Sequence, residues 1–331
     1  MLSRLCSRIV QRHVVGINTI SSKPSECVPP KRANRTIVLV HGFGGGCCNF
    51  VPNWATFEQV ASVHAIDLPG FGRSVREKRS FSSSDDAIDY FVSNLELWFK
   101  DMNFSEPVVL LGHSFGGYLC SHFTIRNPGK VKHLVLADPW GVPRQPADDG
   151  SAKKLPFKFR VALWAFYKTA PLSILRAAGP LGPKVLPKFR PDFEERWSRI
   201  IDDPKAFYDY TYHCNAGRPT GELGFQACCV GRIFAQQPLL DILPNKHLPS
   251  LPVTVVYGQQ SWMDKSAGVE LVKTLQAMGC SATVDFISGA GHQLNSDNPA
   301  HFALVVMQRL KWKFPEAIRQ ELERESSLTD G

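Results

Sequence analysis

The chain has 331 residues, 44% of them hydrophobic and 21% charged, and carries a net charge of +8: a globular composition, long enough for one large domain with an insertion. The charge is uneven, with seven Lys/Arg against one acid in residues 1–40, twelve against five in residues 141–200, and an acidic remainder. This is not the uniform basic face of a nucleic-acid binder, and no run of about 20 apolar residues exists to cross a membrane.

The first 25 residues contain no Asp or Glu and place Arg4, Arg8 and Arg12 at every fourth position, with Leu2, Leu5, Ile9 and Val10 elsewhere around the same helix. An Arg-rich, Ser-containing, acid-free amphipathic segment is the signature of a mitochondrial transit peptide, so residues 1–25 are expected to be a leader and the location mitochondrial. The competing reading is a basic tail that touches anionic membrane, which would leave the protein in the cytosol or at a lipid-droplet surface. Short β-branched runs follow at 36–40, 62–67, 107–112, 132–138, 252–258 and 282–288, with helical patterns such as 85–101 and 117–126 between most of them. That alternation predicts right-handed βαβ units and a parallel sheet covered on both faces.

The interval from Trp140 to Ser250 breaks the alternation. It holds Pro, Arg, Lys and large aromatics, among them Trp164, Phe166 and Tyr167, but no comparable strand. Residues 141–250 are therefore expected to be a helical cap inserted into a core of residues 36–140 and 251–315, followed by a tail at 316–331. The cap's basic residues Lys153, Lys154, Lys158, Arg160 and Lys168 are interleaved with aromatics, a pattern suited to an anionic lipid surface. Nine cysteines, an odd number without C-x-x-C spacing, argue for reduced thiols and against a metal site. No metal and no cofactor is expected.

The stretch "LLGHSFGGYL" sets Ser114 between a buried apolar run and a helix. One reading is a strand-to-helix turn capped by serine; the other is a nucleophile elbow, G-x-S-x-G, which holds the hydroxyl exposed on a tight turn. A serine hydroxyl needs a base, an orienter for that base and donors for the oxyanion. His292, in the glycine-rich turn after the last strand, is the expected base. The acid should follow the strand at 252–258, which makes Asp264 the first choice. Asp138, at the end of "KHLVLAD", is the alternative acid. The "HGFGGG" run after the first core strand and the residue after the serine are expected to supply the oxyanion donors, the backbone N–H groups of Phe43 and Phe115. "DLPGFGRS" (67–74) reads as a structural turn.

"HGFGGG", "DLPGFGRS", "GHSFGG", "HLVLADPWGVPRQP", "RPDFEERW", "YTYHCNAGRPTGE" and "GAGHQLNSDNP" together resemble the α/β-hydrolase domain-containing proteins four and five. This group includes a lysophospholipase of N-acyl-phosphatidylethanolamines and a lipid-droplet coactivator of a triglyceride lipase. The resemblance spans about residues 36–310. It implies an α/β-hydrolase fold and a lipid substrate, a phospholipid or lysophospholipid, met at a peripheral membrane or droplet surface. It also implies a Ser–Asp–His triad, with Asp264 at the family's acid position. The family's H-x-x-x-x-D motif, matched by His292 and Asp297, has been linked to acyl transfer onto lysophosphatidic acid; the plainer reading of Asp297, before Asn298-Pro299, is a helix N-terminal residue. A coactivator role, with another lipase as partner, is weakened by three features: Ser114 is present, Gln260 stands where that branch carries arginine, and no tryptophan precedes Trp54. The family also has a β-hairpin before the "HGFGGG" strand. With 35 residues available and 25 of them reading as leader, the sheet is expected to lack that first hairpin, or the sequence to be truncated.

Overall fold

In the computed structural model, residues 9–22, 35–146, 160–161, 164, 167–231, 234–245 and 251–328 are described. The chain runs β1 (Ile9–Val14), β2 (Ile17–Ser22), β3 (Thr36–Val40), α1 (Val51–Glu58), β4 (Ser62–Ile66), α2 (Ser84–Met102), β5 (Val108–His113), α3 (Phe115–Arg126) and β6 (Val131–Ala137). A largely helical interval follows, with α4 (Ser173–Ala177), α5 (Gly182–Phe189), α6 (Asp192–Ser198), α7 (Lys205–Asn215) and α8 (Thr220–Cys228). After a two-stranded ribbon of β7 (Cys229–Val230) and β8 (Phe234–Ala235) comes α9 (Leu239–Asn245). The core resumes with β9 (Val253–Gly258), α10 (Lys265–Ala277), β10 (Ala282–Ile287), α11 (Leu294–Asp297), α12 (Pro299–Arg309) and α13 (Glu316–Leu328).

Eight strands form one sheet in the order β1-β2-β4-β3-β5-β6-β9-β10. The pairings from β4 through β10 are parallel, and those of β1 with β2 and β2 with β4 are antiparallel. The core strands read as unbroken apolar runs because both faces are buried. Within β3, Ile37 and Leu39 face one layer with Trp54, Phe57 and Phe302, while Val38 and Val40 face the other with Phe91, Leu119 and Leu271.

Two expectations about the termini are corrected. Residues 9–22, placed in the leader, form the hairpin expected to be missing. Arg12 lies in a strand, paired with Thr19, rather than on a helix. The hairpin is held because Val14, Ile17 and Ile20 are buried, and because the Asn18 amide donates to Asp67 Oδ2 at 2.8 Å. Residues 1–8 and 23–25 lie outside the described residues. At the other end, residues 316–328 are a helix rather than a tail, with Leu322 buried against the layer that contains α12. Asp67 is the hub of the "DLPGFGRS" turn. It accepts the N–H of Cys47 at 2.7 Å and of Arg73 at 2.9 Å, and so joins hairpin, glycine-rich loop and turn.

The hairpin's contribution is measurable. Ile17→Ala is expected to destabilise the chain by about 2–5 kcal/mol, the usual cost of truncating a buried isoleucine. Urea unfolding would report it; an unchanged midpoint would mean that the hairpin does not belong to the cooperative unit.

The cap has a small core of its own. Leu186, Phe193, Trp197, Phe207 and Tyr208 cluster with Val51 of α1, and the rings of Trp197 and Phe207 stack at 3.7 Å. Buried Glu222 pairs with Arg176 and accepts the Leu172 N–H at 2.7 Å, joining α8 to α4 and the turn before it. Lys153, Lys154, Lys158 and Phe166 lie outside the described residues; Trp164 is exposed.

Candidate active site

Ser114 stands between β5 and α3 with φ +52° and ψ −120°, a backbone conformation that costs a non-glycine residue free energy and is characteristic of functional turns. The turn closes because its neighbours are small. A Cβ on Gly116 would lie 2.4 Å from the carbonyl oxygens of Val40 and His41, and one on Gly112 would lie 2.6 Å from Gly116. Strand and helix therefore meet only with glycine at both positions, and the serine side chain is left facing the cap.

His292 reaches Ser114 from the turn after β10. Its Nδ1 lies 2.5 Å from Asp138 Oδ2 and its Nε2 lies 3.1 Å from Ser114 Oγ. A carboxylate can only accept, so Nδ1 carries the proton and Nε2 accepts from the serine hydroxyl. Asp138 is wholly buried, with φ +47°, and takes two further hydrogen bonds: Ser261 Oγ–H at 2.6 Å and Gly258 N–H at 3.3 Å.

This geometry overturns the choice of Asp264 as the acid partner of His292. Asp264 caps the N-terminus of α10, where Oδ1 accepts the N–H of Ser266 at 2.9 Å and of Ala267 at 3.3 Å. The hydrogen bond from the Ser266 hydroxyl comes first among the causes that hold its carboxyl below the usual range, ahead of those helix N–H groups. The position nearer the end of β9 is taken by Ser261, which donates to Asp138 instead of carrying a charge itself. The sequence reading missed that role for Ser261. Its only signal was a short hydroxylated side chain where an acid was expected.

The loop after β3 passes directly over the serine. A Cβ on Gly42 would lie 2.9 Å from Ser114 Cβ, so only glycine lets the backbone come this close. His41 fixes the loop from below: Nδ1–H donates to the Gly42 carbonyl at 2.7 Å and Nε2 accepts the Leu68 N–H at 2.8 Å. Burial lowers its pKa and keeps the ring neutral, as those two roles require. From the cap, Asn215 Nδ2–H donates to the Gly44 carbonyl at 2.7 Å. Phe115 is the first residue of α3, where a backbone N–H has no partner inside the helix. Phe43 packs its ring against Phe225 at 4.4 Å, on the lining of the same cavity.

That cavity has a volume of about 940 Å³ and contains Ser114 and His292 in its wall. Core and cap both line it, mostly with apolar side chains such as Phe43, Trp140, Leu175, Leu186 and Phe225. Next to the serine, buried His113 donates its Nε2–H to the His292 carbonyl at 2.8 Å. Burial, with the neighbouring His292 second, lowers its pKa to about 3, so the ring is a neutral prop and not a second base. Asp297 does not face the serine: its Oδ2 accepts the Gly291 N–H at 2.9 Å.

The sheet order, the elbow at Ser114 and a histidine after the last strand coincide with a match of residues 35–299 to the alpha/beta hydrolase fold family. This chain belongs to that family. Among alpha/beta hydrolases it is 37% identical over 282 residues to a (lyso)-N-acylphosphatidylethanolamine lipase of Bos taurus, covering 84% of this chain and 80% of that one. It is 34% identical over 271 residues to the 1-acylglycerol-3-phosphate O-acyltransferase ABHD5 of Homo sapiens, covering 82% and 76%. The fold is shared with a thermophilic esterase from Thermogutta terrifontis, at a TM-score of 0.60 and 18% identity over 92% of this chain and 98% of that one.

Proposed function

We propose that the chain is a serine hydrolase of acyl esters in phospholipids, with Ser114 as nucleophile, His292 as general base and Asp138 as the acid that orients it. The observation that carries this reading is the unbroken contact Asp138–His292–Ser114 at 2.5 and 3.1 Å, opening into a large apolar cavity. His292 takes the Ser114 proton as Oγ attacks the acyl carbonyl. The Phe43 and Phe115 N–H groups receive the oxyanion. Protonated His292, stabilised by Asp138, then gives its proton to the leaving glycerol oxygen, and water repeats the sequence on the acyl-enzyme.

The substrate class comes from two sources. The lipase named above suggests N-acylphosphatidylethanolamine and its lyso form. The cavity agrees with a long acyl chain, since apolar walls bind alkyl groups in proportion to the area removed from water. Around the same cavity, Ile174, Phe189 and Trp262 are 75%, 67% and 74% exposed, an apolar rim suited to a lipid surface. No helix among the described residues is long and apolar enough to cross a membrane.

A panel of mixed micelles tests the reading. Fatty-acid release followed by mass spectrometry should be faster from N-acylphosphatidylethanolamine or its lyso form than from triglyceride. Comparable rates on all lipids would remove the phospholipid assignment. No release from any lipid by a folded chain would leave a binding role toward another lipase.

A further inference from the structure

The spacing of His292 and Asp297 is not used by the mechanism above, yet Asp297 is among the most engaged carboxylates near the site. It ends α11 with its side chain 12% exposed. Oδ2 accepts the N–H of Gly291, the residue before His292, at 2.9 Å. Oδ1 accepts Nε–H of Arg196 in a close ion pair. Arg196 belongs to α6 of the cap, lines the substrate cavity and is itself steadied by Asp192, which accepts its Nη1–H at 2.9 Å. One carboxylate thus holds both the backbone beside the base and a cap side chain that faces the substrate.

The other side of His292 is held as well, since its carbonyl accepts from His113 at 2.8 Å. The Ala290–Gly291 peptide and the His292–Gln293 peptide are therefore both anchored, one on each side of the base. Asp138 orients the imidazole ring itself, and these two backbone anchors limit how far the chain carrying it can shift from Ser114. A hydrogen bond to an ionised group is about twice as strong as a neutral one, which makes Asp297 the firmer of the two anchors.

We propose that Asp297 is a positioning residue. It sets His292 for proton transfer and, through Arg196, ties that setting to the seating of the cap. The H-x-x-x-x-D spacing then serves hydrolysis and acyl transfer alike and does not specify transfer. Both carboxylate oxygens are already engaged, by a backbone N–H and by a guanidinium, so Asp297 is not disposed to act as a second proton acceptor. This inference rests on the reading of Ser114 and His292 given above.

The test uses the purified full chain with N-acylphosphatidylethanolamine in mixed micelles, with and without lysophosphatidate as acyl acceptor. Asp297→Ala removes both contacts. Asp297→Asn keeps an oxygen for the Gly291 N–H but loses the charge that holds Arg196. Arg196→Gln removes the cap's contact to Asp297, together with the Arg196–Asp192 pair, and leaves the Gly291 anchor in place. Because a displacement of about 1 Å can cost roughly 100-fold in rate, Asp297→Ala should lower kcat by about 30–100-fold with KM within about threefold. Asp297→Asn and Arg196→Gln should lower kcat by about 3–10-fold, a partial rescue that separates the two anchors. Labelling of Ser114 by a fluorophosphonate should slow in the same order, and any acyl transfer should fall in proportion to hydrolysis. Two results overturn the proposal: kcat unchanged in Asp297→Asn while the melting temperature falls, or transfer lost with hydrolysis retained. If wild type neither turns over lipid nor labels at Ser114, the hydrolase reading fails first and takes this one with it.

Discussion

Ser114→Ala is expected to abolish hydrolysis of N-acylphosphatidylethanolamine, with kcat lower by roughly 10³–10⁶-fold, the range spanned when a serine triad loses its nucleophile. Ser114 Oγ is the only atom of that side chain engaged with His292, and alanine removes it without adding volume. The strained backbone at φ +52° is set by the close approach of Gly112 and Gly116, not by the hydroxyl, so the turn should persist. The variant should therefore melt close to wild type, take no fluorophosphonate label and release no fatty acid. Full hydrolysis by the alanine variant would move the nucleophile elsewhere.

Asp138→Asn should be nearly as damaging, at about 10⁴-fold in kcat, and Asp264→Asn nearly silent. Asp138 is buried and touches Nδ1 of His292. An asparagine there can present an N–H to Nδ1, which would push the imidazole proton onto Nε2, where it blocks acceptance from Ser114. It also removes the charge that stabilises the imidazolium. Asp264 faces solvent and caps α10, a position where asparagine serves as well as aspartate. Paired kinetics on the two variants, with circular dichroism to verify folding, decide the matter. If Asp264→Asn loses more activity than Asp138→Asn, the acid assignment is wrong and the His292–Asp138 contact is structural.

Both predictions depend on a serine and histidine that chain order alone brings to notice, and on an acid that it leaves open between Asp264 and Asp138. Ser114 and His292 are legible because each is tied to a local signal: a G-x-S-x-G turn after an apolar strand, and a histidine in a glycine-rich turn after the last one. Asp138 and Asp264 both follow strands at neighbouring places in the sheet, β6 and β9. Choosing between them requires the direction of a side chain, and that is settled by contacts among distant residues. Asp138 and His292 are 154 residues apart, and Asp138 and Ser261 are 123 apart. Asp297 is a similar case. It was expected at a helix N-terminus, yet it ends α11 while Asn298 caps α12, and its partner Arg196 lies 101 residues away in the cap.

The sequence by itself determined the parallel core, because strands buried on both faces must be continuously apolar and so stand out from the helices between them. It determined the elbow and the glycine-rich loop, because close backbone approach admits only glycine there. The tertiary structure alone decided the acid, the cap's grip on the histidine loop and the hairpin at residues 9–22. Arginines at every fourth position suggested a helix, yet residues 9–14 form a strand because β2 pairs with β4 of the sheet and brings β1 with it. Pairing of this kind is a long-range hydrogen-bonding choice, and a short half-exposed strand carries too little pattern of its own to announce it.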